Sequence, residues 1–158
     1  MDQKTKQLVR LGLMTAAVAA VTMVVSLPVP NVAGAYINGG DAVVYVAAYL
    51  FGPVGAVSAA VGSALADLLL GSAIYAPGTF IIKGAMALLA ALALKKWSKP
   101  AVVFAVGLLM PLGYFLYESV LFGVSAAWAG VGFNLIQYAA GTALSYALIK
   151  LLGARGHD

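Results

Sequence analysis

Asp41, Asp67, Lys83 and Glu118 are ionisable residues standing inside stretches that are otherwise apolar. Within a membrane a charge costs at least about 2.5 kcal/mol, so each of them calls for a partner, a cavity or an interfacial position. Amides and phenols accompany them. Asn134, Gln137 and Tyr138 recur at three- and four-residue spacing, which gathers them on one side of a helix, and Tyr114 stands one turn before Glu118. A lysine, carboxylates, amides and aromatic rings together could hydrogen-bond the substituents of a small, polar, planar ligand while stacking on its ring. The same set does not suit a lipid or a bare ion. Structural alternatives stand beside this reading. Lys83 could pair with Asp67 or Glu118 to hold helices together, with Asn134 and Gln137 as interhelical glue, and Asp41 could cap the start of a helix.

Covalent chemistry has little to draw on. The chain has no cysteine, which excludes disulfides, thiolate metal sites and thiol nucleophiles, and its single histidine, His157, reads as a solvated residue of the polar C-terminal tail. No phosphate loop, dinucleotide fingerprint or zinc-protease spacing occurs, so no metal or cofactor site is expected and the chain cannot hydrolyse ATP itself. Gly39-Gly40-Asp41 and Gly52-Pro53-Val54-Gly55 read as turns and helix starts rather than phosphate cradles. An enzyme using Asp67, Glu118 and Lys83 as acid and base would lack both nucleophile and cofactor, and none is expected.

The elements that must position these residues follow from composition. In a chain of 158 residues, 63% hydrophobic and 9% charged, with a mean hydropathy of +1.01, there is too little polar surface to coat a water-soluble globule. Its solvent is lipid. Crossing takes roughly 20 apolar residues per helix. Gly and Pro punctuation divides the chain into expected helices over 8–27, 41–51, 54–71, 79–95, 101–122 and 131–152, an all-α integral membrane protein forming one transmembrane domain over 1–158. Loops are expected over Pro28–Gly40, Gly71–Gly78 and Gly123–Gly130. The basic start and Ala33-Gly34-Ala35 imitate a signal peptide, but everything downstream is equally membrane-like.

Eight of the nine basic residues fall before helix one (Lys4, Lys6, Arg10), between helices four and five (Lys95, Lys96, Lys99), or at the end (Lys150, Arg155), and only Lys83 is internal. Basic residues collect on the cytoplasmic side, so both termini are placed in the cytoplasm, and no nucleic-acid stripe is left. Counted at about 1.5 Å per residue from the outward ends, Asp41 lies at the mouth, Asp67 and Glu118 roughly 6 Å in, and Lys83 roughly 8 Å in. That layer defines an outward-opening cavity, with Tyr36, Asn38, Tyr75 and Trp128 on the loops above, although Trp128 also fits an interfacial belt. Gly12, Ala16 and Ala20 form a small face on helix one that serves either internal packing or close approach of another helix. Gly55, Ala59 and Ser63, with Gly62 and Ala66, read as internal packing.

The residues also resemble a family. The run Tyr36-Ile37-Asn38-Gly39-Gly40-Asp41-Ala42-Val43-Val44-Tyr45, then Tyr49-Leu50-Phe51-Gly52-Pro53, Ala64-Leu65-Ala66-Asp67-Leu68 and Ala76-Pro77-Gly78-Thr79-Phe80-Ile81-Ile82-Lys83-Gly84, is similar to the S components of energy-coupling factor (ECF) vitamin importers, in the riboflavin-transporter-like group. The likeness covers nearly the whole chain. It implies a six-transmembrane-helix S-component fold in a prokaryotic plasma membrane and a vitamin site roofed by the loop after helix one. It also implies partnership with a membrane coupling subunit and two ATPase subunits that use the ATP. Ala16 and Ala20 would then dock on the coupling subunit. Among the group's ligands, vitamin B6 or the hydroxymethylpyrimidine precursor of thiamin is expected here, with riboflavin or pantothenate as alternatives. A self-sufficient proton-coupled carrier using Asp67 or Glu118 is the rival reading. It would need polar groups on both sides of the midplane, and the cytoplasmic half is almost wholly apolar.

Overall fold

Where each helix stops is decided by the residues that cannot continue it. The computed structural model describes residues 2–30 and 32–154, so Arg155 and His157 lie outside the described residues. Helix α1, Gln3–Val24, begins earlier than its apolar run because the Asp2 carboxylate accepts the Thr5 N–H at 2.6 Å and caps it. It also ends earlier than expected. Ser26–Pro28 (β1) pairs antiparallel with Tyr36–Asn38 (β2), with Leu27 opposite Ile37, so the expected loop is a two-stranded ribbon. Strands of three residues carry no periodic signal that a sequence reading could find.

Helix α2, Gly40–Phe51, is followed by a 3₁₀ turn at Gly52–Val54 and by α3, Gly55–Leu69. Gly52 supplies a backbone angle of φ +60°, which glycine adopts readily. The chain then folds back, and Gly55 abuts the Ala47–Ala48 backbone so closely that no side chain fits there. Helix α4, Ala76–Trp97, starts before the expected 79 because Pro77 sits in its first turn, where a missing N–H costs nothing. The fifth expected helix is divided into α5, Val102–Gly107, and α6, Leu109–Phe122. Pro111 explains the break, since it cannot donate to the Gly107 carbonyl one turn back. Gly123 alone, at φ +86°, separates α6 from α7, Val124–Ala154. The expected loop over Gly123–Gly130 is therefore helical, as its alanines favour.

Close contacts fix the helix directions. Ser58 donates to the Leu11 carbonyl at 2.9 Å and Gly62 meets Thr15 and Val18, so α1 and α3 run parallel. Gly78 against Tyr117 with Gly113 against Ile82 makes α4 and α6 antiparallel, and Gly130 against Glu118 with Gly107 against Thr142 makes the α5–α6 stretch antiparallel to α7. Gly141 against Asp41 and Gly153 against Tyr49 set α2 parallel to α7. The two ends of the described chain consequently share one end of the bundle with Lys95, Lys96, Lys99 and Lys150. Among the described residues five stretches are long and apolar enough to cross a membrane, with Gly40–Leu69 counted as one although the chain reverses within it.

The core is small-residue packing: Ala47, Ala59, Ala87 and Ala90 fill it with Val44, Met86, Met110 and Ile149. Lipid gives helices little hydrophobic reason to associate, so close approach through Gly and Ala, and the dispersion it brings, must hold them together. The Gly55, Ala59, Ser63, Gly62 and Ala66 set is buried in that role. Large apolar side chains such as Leu13, Leu68, Ile81, Val120 and Leu151 point outward instead, as lipid-facing residues do.

Candidate functional site

The polar residues of the bundle fall into two connected groups, one beneath the other. The lower group centres on Asp41. Helix α2 starts level with Gln137 and Gly141 of α7, so Asp41 is deep and buried rather than at the mouth. The ribbon accounts for this depth, because it carries the chain inward before α2 begins. Asp41 pairs with Lys83 through Oδ1 and accepts the Gln137 amide at Oδ2 at 2.9 Å. Neither Asp67 nor Glu118 is the partner of Lys83, because the Lys83 ammonium is taken by Asp41. Nor does Asp41 cap its helix: Gly39 is the N-cap residue, and the Asn38 Oδ1 accepts the Gly40 N–H at 2.9 Å. Gln137 joins the levels, its Oε1 accepting the Asn38 N–H of the ribbon at 2.8 Å.

The upper group lines a narrow cavity of about 20 Å³ walled by β2, α3, α4, α6 and α7. Tyr36, Asn38, Asp67, Tyr75, Tyr114, Glu118, Asn134 and Gln137 are all in its lining. Tyr36 donates to Asp67 Oδ1, and Tyr75 donates to Glu118 Oε1 at 3.2 Å. Burial first, then the adjoining carboxylate, holds both phenols well above the usual range, so each stays an O–H donor at any physiological pH. The second oxygens, Asp67 Oδ2 and Glu118 Oε2, are buried with no hydrogen-bond partner among the described residues. The walls stand close, leaving free room for little more than a water molecule, so a ring-sized occupant requires the ribbon to move outward.

Not every expected residue is there. Asp41 and Lys83 lie beneath the cavity, and Tyr138 turns away from it, its ring against Gly107 and its hydroxyl donating to the Phe104 carbonyl at 3.0 Å. Trp128 is exposed on the outer surface with its ring edge-on to Phe115 at 5.1 Å, in keeping with the belt reading. Sequence reasoning missed Thr79, which lines the cavity and hydrogen-bonds the Tyr114 hydroxyl at 2.9 Å. Its place one turn before Lys83 was the available signal. It also missed Gly130, which leaves space for Glu118: a Cβ there would stand 2.7 Å from Oε2. Among the described residues no cluster of acids or histidines is arranged to hold a metal.

A layered polar cavity under a short ribbon, in an apolar helical bundle, is what an uptake protein for a small solute needs. Residues 2–154 match the family described as the S component of ECF-type riboflavin transporters. The chain belongs to that family. It is also 31% identical over 159 residues to the thiamine precursor transporter HmpT of Lactococcus lactis subsp. cremoris, covering 99% of this chain and 93% of that protein. An uncharacterized protein of Pyrococcus woesei is 34% identical over 146 residues, covering 87% and 97% of the two chains. Membership makes this S component a part of a transporter for a vitamin-type solute, and a multi-pass membrane protein.

Proposed function

We propose that this S component is the substrate-binding subunit of an ECF importer for hydroxymethylpyrimidine, the thiamin precursor. The observation that carries the reading is the convergence of nine polar or aromatic side chains from several elements on one cavity. With about 20 Å³ free between the walls, any occupant requires them to part, and a single ring requires less of this than the tricyclic riboflavin. Among the described residues the only buried cation, Lys83, is committed to Asp41, which disfavours the carboxylate of pantothenate. The name of the Lactococcus relative supports a thiamine precursor rather than vitamin B6.

In this reading the helices make six crossings of a prokaryotic plasma membrane, and the end rich in lysine, with both termini, faces the cytoplasm. The ribbon and cavity then open outward. Gly12, Ala16 and Ala20 are exposed on α1, and nothing in the chain stands within 4 Å of where a Gly12 Cβ would be. That face is therefore available for a coupling subunit, which would deliver the work of two ATPase subunits, this chain holding no cofactor of its own. Replacing Ala16 and Ala20 by Leu is expected to abolish ATP-dependent uptake while leaving ligand binding intact.

The test of the ligand is thermal stabilisation of the purified protein in detergent against hydroxymethylpyrimidine, pyridoxine, riboflavin and pantothenate. A ligand at 100 times its Kd adds about 2.7 kcal/mol. Hydroxymethylpyrimidine is expected to give the largest shift; a larger shift with another compound replaces it as the ligand, and no shift with any of them sinks the binding-subunit reading. Uptake into vesicles holding this chain alone would point to the self-sufficient carrier.

A further inference from the structure

Resting on the reading of this cavity as the ligand site, its two half-satisfied carboxyl groups specify what the ligand must bring. Asp67 and Glu118 are each only 3% exposed, and both line the cavity. One oxygen of each is occupied by a tyrosine hydroxyl, Tyr36 or Tyr75, and the other has no partner among the described residues. Folded proteins rarely leave buried acceptors in that state, so what satisfies them comes from outside the chain. Gly130 keeps the way open, since any side chain there would lie against Glu118 Oε2.

Charge narrows the choice further. Lys83 is neutralised by Asp41, so the described part of the bundle has no cation left for Asp67 and Glu118. An anionic ligand would add to the imbalance, and an alcohol or carbonyl would leave it as it is. A basic nitrogen ring carrying an amino group supplies both N–H donors and positive charge. An aminopyrimidine protonated beside its amino group spreads that charge over adjacent N–H groups, the pattern that makes charge-assisted bonds to carboxylates strong. We infer that Asp67 Oδ2 and Glu118 Oε2 are the acceptors for an amino-bearing, basic heteroaromatic ring, and that these two residues set selectivity against amine-free analogues.

The experiment is calorimetric titration of the full chain in detergent with 4-amino-5-hydroxymethyl-2-methylpyrimidine and with its counterpart carrying oxygen in place of the amino group. The amino compound is expected to bind at least tenfold tighter. In Glu118→Gln and Asp67→Asn that ratio is expected to shrink severalfold, through weaker binding of the amino compound. Equal or tighter binding of the oxo compound to the parent protein overturns the inference but leaves the cavity as a ligand site. An unchanged ratio in both variants removes the two carboxyls from the selectivity. Binding of neither compound, with pyridoxine, riboflavin and pantothenate also silent, overturns the inference together with the proposed function. Should the variants fail to fold, the ratio on the parent protein decides alone.

Discussion

Asp41 and the pair Asp67 and Glu118 are carboxylates buried to a similar degree in one bundle, yet their surroundings differ in kind. Asp41 is saturated from within: Lys83 takes one oxygen, Gln137 the other, and Gly141 lets α7 close over it. Among the described residues Asp67 and Glu118 are each satisfied on one side only, and both line the cavity. Burial alone therefore does not mark a ligand residue. The distinction lies in whether the chain itself completes the hydrogen bonding, and it predicts opposite responses to mutation: Asp41 and its partners should matter to folding, and Asp67 and Glu118 to binding.

The largest effect is expected at Lys83. Lys83→Met strands a buried carboxylate, a change that costs about 3–5 kcal/mol. The thermal midpoint of the purified protein should fall steeply, and adding Asp41→Asn should recover much of the loss, since removing both charges is far cheaper than removing one. A Lys83→Met protein that stays fully stable yet loses ligand would move Lys83 from the structural group to the ligand site and undo the comparison.

Gln137 comes next, because it belongs to both levels. Gln137→Ala leaves the Asn38 N–H and Asp41 Oδ2 without their partner, at about 1–3 kcal/mol for a buried polar group so deprived. Hydrogen exchange at Asn38 should speed up while exchange in the middle of α3 changes little. Equal acceleration in both would mean that Gln137 supports the whole bundle rather than the seating of the ribbon.

Much of this division could be read in the sequence, though not its central fact. Apolar runs broken by Gly and Pro located the helices to within a turn or two, since hydrophobic length and chain-breaking residues act locally. The layer of Asp67, Tyr114, Glu118, Asn134 and Gln137 was legible because helical spacing and depth are counted along the chain. The partner of Lys83 was not. Its choice of Asp41 over Asp67 or Glu118 depends on how far the ribbon carries the start of α2 inward, a product of pairing between three-residue strands. Tyr138 failed for a related reason: spacing puts it beside Gln137, but the packing of α7 on α5 turns its ring toward Gly107. Pro77, counted as a loop residue, sits in the first turn of α4, and Ala126, Ala127 and Ala129 extend α7 where glycine suggested a loop.

Two glycines of α7 sharpen the comparison with a smaller effect. A Cβ at Gly141 would stand 2.7 Å from Asp41 Cβ, which is anchored to the α2 backbone, whereas a Cβ at Gly130 would stand 2.7 Å from the movable end of Glu118. Gly141→Ala has to push two helices apart, an overpacking cost of about 1–3 kcal/mol. In Gly130→Ala the carboxyl can swing aside, and the gain of roughly 1 kcal/mol from replacing helical glycine by alanine offsets the crowding. Denaturation midpoints should therefore fall for Gly141→Ala and hold for Gly130→Ala, with ligand affinity reduced in the latter.

The smallest effect on stability is expected where the ligand effect is large. Glu118→Gln keeps the shape of the side chain and an oxygen for the Tyr75 hydroxyl, and it exchanges an ionisable group for a neutral amide that is cheaper to bury. Its new N–H groups need partners near Gly130, which limits the gain, so the ligand-free thermal midpoint should stay within about 1 kcal/mol of the parent on the scale of ordinary substitutions. Removing a charge from Asp41 should not be so cheap, because there the chain has already supplied the countercharge and Lys83 would be left alone. If Glu118→Gln and Asp41→Asn destabilise the ligand-free protein equally, the two kinds of carboxylate are one kind, and the free oxygen of Glu118 is a packing detail rather than the mark of a ligand.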